Sequence, residues 1–270
     1  MPGTDTLLNA LQWDRDVDPL VWQPHPTAFE RLARAGVDVA VVNKRDFAAS
    51  GLTRAAHRGG RYVGADTTAE RVGATLEATM AAGGVVPSLT YLYEGDLDKT
   101  GHLHGVASSE WLQALAQVDE EAEQLREALP PATRLLVIAD HGMVDSTGEG
   151  RLDLDEVPEA AALRDGLVLL GGEARFRQLW CRDGALDDVV ATWRSVLGER
   201  AEVLTREDAA ARGWFGEVAP SIGPRMGDVV VACRDDLVLL SSRDFAVETR
   251  LVGFHGSLTA DEMLVPVLVG

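Results

Sequence analysis

A doubly wound α/β fold, with a mainly parallel sheet flanked by helices, is what this sequence predicts, and three observations predict it. Short apolar, β-branched runs alternate with amphipathic stretches through the first half of the chain. The helical stretches carry capping signals at their starts and glycine or proline at their ends. The order strand, helix, strand, helix, strand implies parallel strands joined by crossover helices. In such sheets the functional residues gather just beyond the carboxyl ends of the strands.

Each element follows from its residues. The stretch HPTAFERLARAG predicts a helix, with Thr27 and Glu30 as a capping box and Gly36 as its stop. VDVAVVN comes next, a β-branched run of strand length. DTTAERVGATLEATMAAGG repeats the grammar, with Thr67 and Glu70 as the box and Gly83 as the stop, and VPSLTYLYEGD is the next strand. In SSEWLQALAQVDEEAEQLREAL, Trp111, Leu115, Val118, Ala122, Leu125 and Leu129 fall on one stripe at helical spacing. Pro130 and Pro131 end that helix, and TRLLVIADHG supplies a third strand. From 146 to 245 the texture changes: short strands (DGLVLLGGEARFRQLWC, DVVVACRDDLVLLSS) surround one clear helix, ALDDVVATWRSVLGERA, and a Gly/Pro-rich loop. This predicts a mixed or antiparallel excursion, which either shapes a substrate pocket or elaborates the structure. The closing run LVPVLVG is again strand-like.

Composition narrows the function classes. The 270 residues are 46% hydrophobic and 25% charged, as in an ordinary globular protein. A net charge of −18 leaves no basic stripe with which to grip a nucleic-acid backbone, so nucleic acid is excluded as a partner. The acidic surplus also suits a site that concentrates divalent cations. No apolar run reaches the length of a membrane span, and no basic, apolar leader opens the chain, which predicts a cytoplasmic protein without a membrane partner. Cys181 and Cys233 sit in strand-like contexts without CxxC spacing, which predicts free thiols.

The chemistry concentrates in few places. Of the six histidines, four lie in three short segments. In YLYEGDLDKTGHLHG, Asp98 and His102 are four apart and share a helix face, a natural grip for a borderline cation such as Zn²⁺; Asp96 and His104 compete for the same role. In LLVIADHGMVD, an apolar strand ends abruptly in Asp140-His141-Gly142. Adjacent residues of a regular strand point to opposite faces, so Gly142 is expected to turn the backbone and bring both side chains round. A hydrogen-bonded structural Asp-His pair is the competing reading. In GFHGSLTADEM, His255 precedes Gly256 in a loop ahead of the last strand.

Together these segments resemble the alkaline phosphatase superfamily, in its type I phosphodiesterase/nucleotide pyrophosphatase branch. The D-x-x-G-H-x-x-G-like element reads here as Asp98, Gly101, His102 and Gly105. The A-D-H-G-M element is matched by Ala139 to Met143, and a late H-G is followed by Glu262-Met263 and Pro266. The run SGLTRAAHRGGRYVG is also familial, so the resemblance covers essentially the whole chain as one alkaline phosphatase-like domain, 1–270. It implies a hydrolase of small phosphoester or nucleotide-like substrates with two divalent cations, zinc foremost. Metal one would be held by Asp98, His102 and His255, and metal two by Asp140 and His141 with an aspartate and a nucleophilic Thr or Ser. The last two belong to an N-terminal portion that the resemblance places upstream of Met1, so the chain is expected to lack its nucleophile and to be impaired. The alternatives are an inactive metal-binding or structural fragment, or another activity of the superfamily: phosphomonoesterase, phosphonate hydrolase, sulfatase or phosphomutase. His25 and His57 have no role in this scheme.

Overall fold

Along the chain, the computed structural model forms α1 (Pro19–Trp22), α2 (Ala28–Arg34), β1 (Asp38–Asn43), α3 (Gly51–Ala56), β2 (Arg61–Gly64), α4 (Thr68–Ala81) and β3 (Ser88–Leu92). Then come α5 (Asp96–His104), α6 (Ser109–Ala128), β4 (Leu136–Ile138), β5 (Val144–Asp145), β6 (Arg151–Asp153), β7 (Leu167–Glu173) and β8 (Phe176–Cys181). The rest is α7 (Leu186–Leu197), β9 (Ala201–Thr205), α8 (Arg206–Ala211), β10 (Val229–Cys233), β11 (Val238–Leu240), β12 (Gly253–Phe254), α9 (Ala260–Met263) and β13 (Val267–Val269). The structure describes residues 1, 3–9, 12 and 16–270. Much of the opening stretch from which an upstream portion is expected, at 2, 10, 11 and 13–15, lies outside the described residues. No helix among the described residues is long and apolar enough to cross a membrane. The architecture is mixed α/β with a parallel sheet, as the alternation of strand and helix predicts.

The chain divides into two compact units. One comprises Leu8–Leu97, Gln113–Val137 and Leu268–Gly270 and contains a parallel sheet in the order β2-β1-β3. The central strand β1 pairs in register with both neighbours, Val41 opposite Tyr62 on one side and Tyr91 on the other. Val39, Ala40, Val41 and Val42 are all buried, which is why β1 reads as a continuous apolar run rather than an alternating one. Both capping boxes form: Thr27 with Glu30 starts α2, and Thr67 with Glu70 starts α4. Among the described residues β4 pairs with β13 alone, and the pairing continues through Leu135 and Gly270, whose amides donate to each other's carbonyls at 3.1 and 2.9 Å. The predicted third strand is therefore short.

The long helix α6 lies where its periodicity predicts, and its stripe is the more sheltered side of the helix. Of the six stripe residues only Leu125 is buried, and Leu115 is exposed. Glu121, one turn before Leu125, is buried as well. Its carboxylate takes a bidentate ion pair from the equally buried Arg71 of α4, with Nη2 to Oε2 at 2.8 Å and Nε to Oε1 at 3.0 Å. Periodicity located the helix and its sheltered side; the ion pair there depends on Arg71 from another helix.

The second unit comprises Met1–Leu7, Asp98–Leu112 and Ile138–Val267. Its main sheet is antiparallel, in the order β7-β8-β10-β9. Helix α7 covers it with Val189, Val190, Trp193 and Leu197, in one cluster with Leu179, Val203, Val229 and Val231. Trp193 is fully buried and still satisfies its indole, which donates to the Leu163 carbonyl at 3.0 Å. β6 pairs parallel with β11, and β5 pairs antiparallel with β12. Both cysteines are free, and burial pushes the Cys181 thiol up to about 11 and the Cys233 thiol up to about 12.

Candidate metal centre

The centre is built on three backbone features of this second unit. Helix α5 presents Asp98 and His102 four residues apart on one side. It stops at Gly105, whose φ of +88° is the left-handed conformation that glycine accepts without strain. The antiparallel pairing of β5 with β12, with Phe254 opposite Val144, brings the segment after β12 beside the segment before β5. His255 and His141 lie in those two segments and stack, with ring centroids 3.6 Å apart. β12 is in turn tied to α5, because the Val252 amide donates to the His102 carbonyl at 2.8 Å.

Asp98, His102 and His255 therefore converge, their ligand atoms all within 4.8 Å of one another. Asp98 Oδ1 lies 3.4 Å from His102 Nε2 and 3.7 Å from His255 Nε2, and it is buried without a hydrogen-bond partner. A buried carboxylate oxygen left unpaired is costly, and a cation between it and the two nitrogens would remove that cost. The tautomer fits as well. His102 Nδ1 meets the Gly253 carbonyl at 2.8 Å; a carbonyl only accepts, so the hydrogen is on Nδ1 and, in the neutral ring, the Nε2 lone pair faces Asp98. His141 repeats the device with Nδ1 donating to the Gly142 carbonyl at 2.9 Å, and its Nε2 lies 3.7 Å from Asp140 Oδ1. Burial, then the neighbouring His141, lowers the His255 pKa to about 4, so that ring is neutral at physiological pH and can ligate.

The competing residues separate. Asp96 is held by Lys44, with Nζ to Oδ1 at 2.6 Å, and His104 is exposed. Asp140 stands at the rim, exposed. Gly142 does not adopt a left-handed backbone. Glycine is needed there for closeness, since a Cβ would sit 1.9 Å from the Asp261 carbonyl oxygen. Asp140 and His141 escape the strand's alternation because β4 has already ended at Ile138. His57 packs between the rings of Phe29 and Tyr91. Sequence reasoning missed Arg175, which is fully buried against Glu262; the available signal was two arginines, Arg175 and Arg177, close to the turn of a hairpin with apolar strands.

This fold, with an aspartate and histidines gathered on one helix and two loops, is that of the alkaline phosphatase superfamily. Residues 2–258 match the family model of type I phosphodiesterase / nucleotide pyrophosphatase, and the chain belongs to that family. Among solved structures, human ectonucleotide pyrophosphatase/phosphodiesterase 5 superposes with a TM-score of 0.68 at 19% identity, covering 93% of this chain and 65% of that one. The murine protein, as an inactive threonine-to-alanine variant in complex with AMP, gives 0.66 at 18% identity over 89% and 62% of the two chains. Phosphonoacetate hydrolase from Sinorhizobium meliloti, in complex with phosphonoformate, gives 0.57 at 21% identity over 90% and 68%. At these identities the likeness is one of fold, and the chain spans less than two thirds of the length of the two mammalian structures. No curated protein sequence matches it.

Proposed function

We propose that this chain is the metal-binding part of a two-metal phosphoester hydrolase, a phosphodiesterase or nucleotide pyrophosphatase, whose threonine or serine nucleophile is supplied from outside these 270 residues. The observation that carries the reading is the unpaired, buried Asp98 Oδ1 facing two imidazole nitrogens. Family membership supports the reaction class. The AMP and phosphonoformate complexes of the similar structures support a small phosphoester substrate, and the inactive murine variant supports a threonine nucleophile.

Asp98, His102 and His255 would hold one cation, and Asp140 and His141 would contribute to a second. Zinc suits a set of imidazoles and carboxylates. Bound there, the cations would activate a hydroxyl nucleophile and neutralise charge on the phosphoryl and leaving oxygens. The protein's own part is orientation. The Gly253 and Gly142 carbonyls fix the His102 and His141 rings through Nδ1, so that Nε2 of each is presented to the site. The hydroxyls nearest to His255 in sequence are committed elsewhere: Ser257 donates to the Cys233 carbonyl, and Thr259 to the Glu262 carboxylate. They are not offered as nucleophiles.

Zinc stoichiometry and turnover of bis-nitrophenyl phosphate by this chain alone test the proposal together. Bound zinc without turnover is the expected result. Turnover would overturn the external nucleophile, and failure to bind zinc would overturn the metal reading.

A further inference from the structure

Two loops bring ligands to the centre, one at Asp140-His141-Gly142 and one at His255-Gly256-Ser257, and a single residue fastens both. The carboxylate of Glu262 accepts from the Ser257 amide at 2.9 Å, two residues beyond His255. The carbonyl of the same residue accepts from the Gly142 amide at 2.8 Å, one residue beyond His141. Glu262 is itself immobilised, since Arg175 grips it through Nε to Oε1 at 2.7 Å and Nη2 to Oε2 at 2.8 Å. Thr259 Oγ1 adds a bond to Oε2 at 2.5 Å. Arg175 is anchored in turn to the Leu237 carbonyl at 2.8 Å. Arg175, Glu262 and Ser257 are all buried.

We infer that Glu262, locked by Arg175, is a positioning residue for the metal centre, setting the separation of the His141 and His255 rings. The inference rests on the metal reading above. It follows from where the bonds end. A buried ion pair kept only for stability has no need to bond both ligand loops, and a pair of this kind is weak evidence of stability in any case. Groups that orient metal ligands from behind typically alter affinity by about 10–100-fold when changed. Here one residue restrains two such loops at once. The approach is too close for any side chain at Gly142, so the carbonyl bond has little freedom to lengthen.

The test is cobalt(II) titration of the whole chain, read by visible absorption and by affinity, for the parent, Glu262→Gln and Glu121→Gln. Glu121 belongs to the other buried pair, with Arg71, and its variant controls for general loss of stability. The expected result is binding by the parent and by Glu121→Gln with one spectrum and one affinity. Glu262→Gln should then bind about 10–100-fold more weakly with an altered spectrum. Should Glu262→Gln not fold, Thr259→Val removes one bond to the same carboxylate and leaves the ion pair; it should bind cobalt more weakly than the parent and with an altered spectrum. Parent-like affinity and spectrum in Glu262→Gln, or in Thr259→Val where that variant stands in, would overturn the positioning role while leaving the metal reading intact. A parent that binds no cobalt would overturn both, and so identifies a failure of the metal reading.

Discussion

The two units bury the same chemistry and use it differently. In the unit with the parallel sheet, Arg71 and Glu121 pair between α4 and α6, and the carboxylates of Glu94 and Asp96 lie within 4.0 and 3.7 Å of the guanidinium. In the unit with the antiparallel sheet, Arg175 and Glu262 pair beneath the loops that carry His141 and His255. The first pair joins two helices. The second also bonds the backbone around a candidate site, at Ser257 and Gly142. Burial alone would push the Glu262 carboxyl up, yet Arg175, Thr259 and the Ser257 amide outweigh it and hold the group below the usual range. The same residue types at the same depth thus differ by the backbone groups they meet.

The largest expected effect is on the packing that supports the centre. Trp193→Ala empties the middle of the antiparallel unit's core and should cost about 3–5 kcal/mol in urea unfolding; a loss below about 1 kcal/mol would show that this core is not what it appears in Trp193's surroundings. Next comes Glu121→Ala. It strands a buried guanidinium and should cost about 3 kcal/mol, at the low end for such pairs because Glu94 and Asp96 remain nearby. Zinc affinity should be unchanged. A large fall in zinc affinity in that variant would erase the distinction between the two pairs.

His102→Ala removes a proposed ligand and should weaken zinc binding by at least about 100-fold, equivalent to about 2.7 kcal/mol, measured by competition with a chromogenic chelator. A smaller effect belongs to His57 in the parallel-sheet unit, whose pKa is lowered by burial. The unfolded chain takes up that proton first as pH falls. The stability linked to His57 is therefore present above about pH 6.5 and lost on acidification. His57→Phe should flatten the fall in stability between pH 7 and pH 5, followed by urea midpoints with chelator present; an unaltered slope would assign the acid sensitivity elsewhere. Smallest is His104→Ala, expected to leave zinc binding unchanged, because His104 is exposed while His102 faces Asp98. Equal damage from the two would move the ligand register.

Local signals were legible because they depend on near neighbours. Thr27 with Glu30 and Thr67 with Glu70 start helices wherever the backbone can close four residues on itself. Asp98 and His102 share a face because helical spacing requires it. The β-branched runs of β1 and β10 and the apolar run of β7 could be read as strands without knowing their partners.

By itself, then, the sequence determined the succession of strands and helices, their caps, and the motifs that mark the family. Tertiary structure decided the rest. The pairing of β5 with β12 brings His255 against His141, and no local pattern specifies which distant strand a short strand will choose. Crowding by the Asp261 carbonyl demands glycine at 142. The burial of Glu121 in α6 could not be read from its stripe, because Arg71 meets that carboxylate from another helix. In each case the deciding energy comes from segments far apart in the chain: a hydrogen-bonding partner, a van der Waals limit or a countercharge exists only once those segments have met.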